Sequence, residues 1–372
     1  MKSTMRIGID ARPLSYRLTG IGYYLKYLLD EIQKIDTKNR YFLISNAPIF
    51  YHTYNPLWTK IEGRCKKKLL STLWIQTCGA VSIARLKLDL FWGPRHHLPV
   101  LLPKRIKAVI TVHDIVHRKF PETMTLPNLI VERLLMRRSL IRSDAIMADS
   151  HATAADIEKY YAMDAKNILI IHPGIPKFTQ HPDNHNESTH TLPAKYFLFV
   201  GTLDPRKNFR RIFKAFERVD PVQNDVHLVV VGARGWEKND LFQKLDRHAL
   251  SSKIHLKGYV PRKQLAQFYK NALCLLFPSL YEGFGFPILE AMYYGTPVIT
   301  ANTSSMPEVA GDAAVLVDPY NIEAIADAMG EVMGNRNLRD RLRQRGRERI
   351  KQFDWKQSAV ETIRFFESVV GQ

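Results

Sequence analysis

Short runs of consecutive apolar residues alternate along this chain with longer stretches in which apolar residues recur every three or four positions. Runs of the first kind suit strands buried on both faces of a parallel sheet, and the second suit helices that cover it, so an α/β class is expected rather than a hairpin-rich one. In the first half, strands are predicted near residues 6–10, 41–45, 88–92, 108–112, 145–148 and 168–171. Leu25, Leu28, Leu29, Ile32 and Ile35 recur at helical spacing behind Gly20-Ile21-Gly22, which reads as strand, glycine turn and helix.

The polar stretch 176–193 has no face to bury and is read as a linker. Beyond it the alternation restarts, with strands predicted near 196–200, 226–231, 254–256, 273–277, 298–300 and 314–317, then helices over 321–333, 338–352 and 355–370. The last carries Ala359, Ile363, Phe366 and Val370 on one stripe and should dock on an apolar surface. Three divisions follow: an N-terminal domain over 1–180, a C-terminal domain over 181–353, and a final helical segment over 354–372. A chain of 372 residues, 45% of them hydrophobic, is long enough for two cores.

The formal charge of +18 and a pI near 9.7 imply attraction to phosphates, whether in nucleic acid, on anionic lipid or in a nucleotide sugar. Basic residues concentrate at Lys66-Lys67-Lys68, Lys104-Arg105-Ile106-Lys107 and over 336–351, where a solvated helix face is an equal alternative. Cys65, Cys78 and Cys274 stand far apart without metal-ligand pairing, which argues against a disulfide framework and fits a cytoplasmic location. The N-terminus lacks the apolar core of a signal peptide, and no apolar run approaches the roughly 20 residues that span a bilayer, so membrane association is expected to be peripheral.

Candidate chemistry gathers after predicted strands, where helix N-termini offer unpaired N–H groups. Gly20 and Gly22 follow the first strand, His113 and Asp114 another, Arg206 and Lys207 the strand ending at Val200, and Gly283 and Gly285 the strand ending at Phe277. Each alone would suit a helix cap or a turn. Spread over both halves, they imply a cleft between two domains. Asp204-Pro205 marks a turn that presents Arg206 as a forked donor and Lys207 as a point charge, a pair suited to a diphosphate. In Tyr281-Glu282-Gly283-Phe284-Gly285-Phe286-Pro287-Ile288-Leu289-Glu290, two carboxylates flank a glycine-rich turn that opens a helix, with Pro287 in its first turn and Glu290 one turn in. No Asp-x-Asp triplet is present to hold a divalent cation, and no P-loop appears.

The segment from Phe277 to Pro287, continuing through Glu290-Ala291-Met292, resembles the Glu-x7-Glu signature of retaining GT-B glycosyltransferases of family four. Within that group, Trp92-Gly93-Pro94-Arg95-His96-His97-Leu98-Pro99 and Gly232-Ala233-Arg234-Gly235-Trp236-Glu237 are similar to bacterial mannosyltransferases of O-antigen and exopolysaccharide assembly. The resemblance implies two Rossmann-like doubly wound domains facing across a cleft, with the final helix returning to the N-terminal domain. It implies that Arg206 and Lys207 neutralise the donor diphosphate, Glu290 accepts from the ribose, and Glu282 faces the transferred sugar. Backbone at Gly285, Phe286 and Pro287 would line the sugar pocket, and backbone at Tyr259 and Val260 would meet the base. His113 would reach the donor sugar from the N-terminal domain, while Gly20 and Gly22 would keep the loop beside the phosphates slim. The family's paired glycines are here Thr19-Gly20-Ile21-Gly22, a partial match.

The function expected from this likeness is metal-independent hexosyl transfer, with GDP-mannose as donor and a glycan or polyprenyl-diphosphate-linked glycan as acceptor, at the inner face of a bacterial membrane. An anionic membrane surface is the expected partner, and nucleic acid is not. A nucleotide-sugar epimerase on the same fold is the nearest alternative. A glycoside hydrolase has no use for the Arg206-Lys207 pair, and a nucleic-acid-binding protein would interleave aromatic with basic residues in a binding motif, which is not evident here.

Overall fold

A computed structural model of the chain describes residues 4–65, 67, 70–176, 191–233, 235, 245 and 247–371. The boundary expected at 180/181, most of the expected linker, and Arg234, Trp236 and Glu237 lie outside the described residues.

The chain forms two compact units. The first gathers residues up to Pro121, Thr125–Gly174 and everything from Asp354 on; the second is Ile175–Phe353 together with Glu122–Met124. Strands of the first are β1 Arg6–Asp10, β2 Arg40–Ser45, β3 Trp58–Glu62, β4 Leu90–Gly93, β5 Lys107–Val112, β6 Ala145–Ala148 and β7 Ile168–Ile170. They make one sheet in the order β3-β2-β1-β4-β5-β6-β7, parallel throughout. The second unit holds β8 Tyr196–Val200, β9 His227–Val231, β10 Ile254–Gly258, β11 Cys274–Phe277, β12 Val298–Ala301 and β13 Val315–Val317, parallel in the order β10-β9-β8-β11-β12-β13. Both sheets are doubly wound: strand order reverses between β1 and β4 in one, and between β8 and β11 in the other. Ligands settle beyond the strand ends at such reversals.

Burial on both faces explains the unbroken apolar runs. Along β8, Phe197 and Phe199 enter one core with Phe209 and Phe216, while Tyr196, Leu198 and Val200 enter the opposite core with Phe277, Ile288 and Leu289. The strand that hydropathy did not reveal is β3, which lies at the sheet edge. It exposes Thr59 and Glu62, so Lys60 and Glu62 interrupt any apolar run.

Gly20 and Gly22 do not form a turn ahead of a helix; both sit in the first turn of the helix Gly20–Ile35, and the link from β1 runs through the short 3-10 turn Arg12–Leu14. The arginines over 336–351 are not simply solvated. Arg339 donates to the carbonyls of Val332 and Met333, which end the preceding helix, Arg343 to Gly295 and Arg349 to Val309.

The final helix, Trp355–Gly371, returns to the first unit and packs on the helix Gly20–Ile35. Its buried face is Trp355, Ala359, Thr362, Phe366 and Val369; Ile363 and Val370 of the expected stripe are only half-buried, because the face turns toward Trp355. The Trp355 ring lies 5.7 Å from both Tyr24 and Tyr27, and Phe366 lies 5.5 Å from Trp92. Ser358 donates to the His172 carbonyl at 2.7 Å. Replacing Phe366 by Ala should leave a cavity against Trp92 and cost about 3–5 kcal/mol, read as a lower urea midpoint; an unchanged midpoint would show that the helix is not integral to this core.

Candidate functional site

Beyond the reversal point of the second sheet, the loop after β8 meets the loop after β11. Asp204 caps the 3-10 turn Pro205–Lys207 by accepting from the Arg206 N–H at 2.9 Å. Asn208, at φ +65°, uses its side-chain amide to donate to the Pro278 and Pro319 carbonyls at 2.9 and 2.7 Å. Leu280 N–H donates to the Arg206 carbonyl at 2.8 Å. The hydroxyl of Ser305, in the loop after β12, donates to the carbonyls of Glu282 and Phe284 at 2.9 and 2.8 Å. Four strand-end loops, after β8, β11, β12 and β13, are thereby tied into one support.

That support delivers two cations to one carboxylate. Arg206 Nη1 lies 2.8 Å from Glu282 Oε2, and Lys207 Nζ lies 2.6 Å from Oε1. Arg206 also donates to the Tyr281 carbonyl, and Lys207 stands over the Phe277 ring at 4.9 Å. Burial opposes ionisation of Glu282, but Arg206 and then Lys207 outweigh it and hold the carboxyl down to about 2. The Lys207 ammonium is also shifted down, by burial and by the like charge of Arg206 against the pull of Glu282. Its 2.6 Å contact with a carboxylate that serves two cations keeps the pair ionised.

Gly285, at φ +111°, opens the helix Phe286–Tyr293 with no side-chain cap, and Pro287 lies in its first turn. Its axial field and uncapped start favour an anion there. Glu290 projects from the first full turn, and its two oxygens accept from Arg262 Nη2 at 2.6 Å and from the Tyr269 hydroxyl at 2.8 Å. Burial, then the Glu290 charge, pushes the Tyr269 phenol well above its usual range, so it serves as a neutral donor. The two carboxylates of the signature thus take different partners. Glu290 keeps lone pairs for further donors such as hydroxyls. Tyr259, exposed, and Val260, buried, follow β10 immediately ahead of the Arg262 helix.

In the first unit, His113 follows β5 and is buried. Its Nδ1 lies 2.6 Å from Asp149 Oδ2 and its Nε2 lies 3.0 Å from the Pro94 carbonyl. A carbonyl only accepts, and so does a carboxylate, so both ring nitrogens carry protons and the ring is an imidazolium. Burial works against that charge, but Asp149 and the Pro94 carbonyl raise the pKa above 6.5. The Tyr24 ring meets His113 edge-on at 4.8 Å. A Cβ at Gly20 would meet nothing within 4 Å, whereas one at Gly22 would press on the Pro13 carbonyl at 3.2 Å. Packing therefore accounts for Gly22, and open space lies before Gly20.

Arg262, Tyr269, Asp149, Asn208 and Ser305 escaped sequence reasoning. Arg262 carries a weak cue, a cation just behind the Tyr259-Val260-Pro261 turn. The others are ordinary helix, strand-end and loop residues whose partners lie 21 to 111 positions away.

Residues 66–177 match the family described as Glycosyltransferase Family 4, and residues 180–349 match Glycosyl transferases group 1. Both halves match glycosyltransferase families, and the chain resembles family 4 glycosyltransferases of GT-B fold. It is 28% identical over 380 residues to the O-antigen chain mannosyltransferase B of Escherichia coli, spanning 96% of this chain and 98% of the relative. It is 30% identical to the O-antigen chain mannosyltransferase RfbU of Salmonella typhimurium, over 63% of this chain and 65% of the relative. Among solved structures, the sucrose-phosphate synthase of Thermosynechococcus elongatus superposes with a TM-score of 0.77 at 18% identity, covering 99% of each chain, which is a likeness of fold.

The raised pKa of His113 makes a stability prediction for this glycosyltransferase. Its contribution is complete below the unfolded value of 6.5 and is lost as pH rises through the higher folded value. Asp149→Asn should therefore destabilise more at pH 6 than at pH 9 in urea denaturation; an equal loss at both would mean that His113 is uncharged.

Proposed function

We propose that the chain transfers mannose from GDP-mannose to a lipid-linked glycan during synthesis of a bacterial surface polysaccharide, with retention of configuration and without a metal ion. The near full-length similarity to an O-antigen chain mannosyltransferase supports the sugar and the pathway class. The observation that carries the chemistry is the convergence of Arg206 and Lys207 on Glu282 beyond the β8/β11 reversal.

Breaking the bond between an anomeric carbon and a diphosphate puts negative charge on the leaving oxygen and positive charge on the sugar ring. Arg206 and Lys207 answer the first, and each well-aimed donor contributes about 3 kcal/mol in the transition state. Since Glu282 holds both cations, the donor diphosphate competes with it for them, and the released carboxylate is left beside the sugar-binding turn to orient hydroxyls or ease positive charge. Glu290 takes the ribose hydroxyls with its remaining lone pairs, Gly285, Phe286 and Pro287 line the sugar pocket with backbone, and Tyr259 and Val260 meet the base. The acceptor hydroxyl attacks from the leaving-group side and passes its proton to the departing phosphate, which conserves configuration.

A lipid-linked acceptor requires access to a membrane surface. No helix among the described residues is long and apolar enough to cross a bilayer. The helix Leu126–Arg142 does expose Leu126, Ile130, Leu134 and Ile141, which at 100° per residue fall within about 80° of arc. Arg133 and Arg138 are exposed on either side of them and Arg137 among them, while the only acid of this helix, Glu132, is partly buried and held by His97 at 3.1 Å. An apolar stripe edged by arginines fits the interface of an anionic bilayer.

Two measurements test this reading. Lys207→Ala should weaken calorimetric GDP-mannose binding by about tenfold to a hundredfold, and wild type should prefer GDP-mannose to UDP-glucose; unchanged affinity or a reversed preference would remove the assignment. Flotation with vesicles containing phosphatidylglycerol should carry the wild type and leave Leu134→Glu behind, and equal flotation of both would exclude this helix as the contact.

A further inference from the structure

The loop Pro94-Arg95-His96-His97 leaves β4 at the reversal point of the first sheet, next to the end of β1. It is held stiffly. His96 sits at φ +51° with its N–H donating to the Thr111 carbonyl at 3.1 Å, and its Nε2 accepts from the His113 N–H at 3.0 Å. Leu98 N–H donates to the Ser139 hydroxyl at 2.8 Å, and a Cβ at Gly93 would strike the His97 carbonyl at 2.8 Å.

Charges around this loop are matched with one exception. Arg12, fully buried, forks onto Asp10 at 2.8 and 2.6 Å and gives its remaining arm to the Ser71 carbonyl at 2.8 Å. The Glu132 carboxylate is taken by His97 at 3.1 Å and faces His96 Nδ1 at 3.5 Å; burial opposes its charge, but the two histidines pull its pKa far below the usual range. Arg95 is partly buried, and its guanidinium makes no hydrogen bond or ion pair with any described residue. Burial, then the like charge of Arg12, weakens its hold on its proton, and Asp10 and Glu132 offset this only in part. A partly buried guanidinium that bonds to no described residue keeps its five donors for a ligand, and the two acids that influence it are committed elsewhere.

We propose that Arg95 anchors a phosphoryl-binding site at the β1/β4 reversal of the first unit. Its planar fork matches phosphate oxygens, the stiff loop spares the ordering cost of aiming it, and the sheet reversal is where a doubly wound fold takes ligands. On the glycosyltransferase reading, the group belongs to the phosphate of a lipid-linked acceptor; the donor diphosphate is the other source of the same chemistry.

The test uses the full chain with inorganic pyrophosphate and, separately, GDP. Calorimetry on a Lys207→Ala background, which weakens the site of the second unit, should retain pyrophosphate binding that Arg95→Gln reduces by about tenfold to a hundredfold and Arg95→Lys restores in part. Arg95→Gln alone should melt no lower than wild type, because it removes an unmatched charge, and should lose the stabilisation that pyrophosphate confers. GDP affinity unchanged by Arg95→Gln assigns the group to the acceptor, whereas a matching loss assigns it to the donor. Pyrophosphate binding that ignores Arg95, or a lowered melting point with binding intact, would make Arg95 structural and overturn the site. None of these readouts depends on sugar transfer, so failure of the transferase reading would appear separately, as absent GDP-mannose binding in the wild type.

Discussion

One carboxylate shared by two cations sets the terms for the second unit. Glu282 comes from the loop after β11, and Arg206 and Lys207 from the loop after β8. Neither loop is regular, and both must be placed to within a few tenths of an ångström for such contacts. The sheet supplies the coarse placement, since β8 and β11 are adjacent at the strand-order reversal, and Asn208 and Ser305 supply the fine placement through backbone carbonyls. Removing Glu282 would leave two positive charges buried side by side. The carboxylate is therefore what makes it tolerable to bring the two cations together away from water.

The first unit arranges charge differently. Asp10 with Arg12, and Asp149 with His113, are self-contained pairs at the ends of β1, β5 and β6. They fix strand-end loops from below, Arg12 spending every arm on Asp10 and the Ser71 carbonyl, and Asp149 holding His113 through one of its two oxygens. Against that background of matched partners, Arg95 stands out because its loop is as well held as theirs and its side chain is not.

Much of the architecture was legible because parallel strands are buried on both faces. Twelve of the predicted strands lie where apolar runs stand, and β3 was missed because an edge strand alternates with charge. The site was legible where chemistry and chain order coincide: Asp204-Pro205-Arg206-Lys207 and the stretch from Glu282 to Glu290 are contiguous, so type and spacing reveal them. The pairing of Arg206 and Lys207 with Glu282, about 75 positions away, and of Glu290 with Arg262 and Tyr269, depends on which strands become neighbours. Composition and periodicity do not encode that order. The glycines before the first helix were misplaced for a related reason, since the turn that precedes it is made by Arg12–Leu14, whose arginine reads as surface until Asp10 is seen to bury it.

The closing helix, Trp355–Gly371, belongs to the first unit although Ile175–Phe353, nearly all of the second, lies between them in the chain. On a ribosome, the portion synthesised first therefore waits, with the apolar side of Tyr24, Tyr27 and Trp92 uncovered, until Trp355–Gly371 has been made, while the later portion already has its six strands. Order of assembly runs opposite to order of birth, and a nascent chain interrupted before Trp355 would show chaperones a half-clothed early domain beside a finished late one.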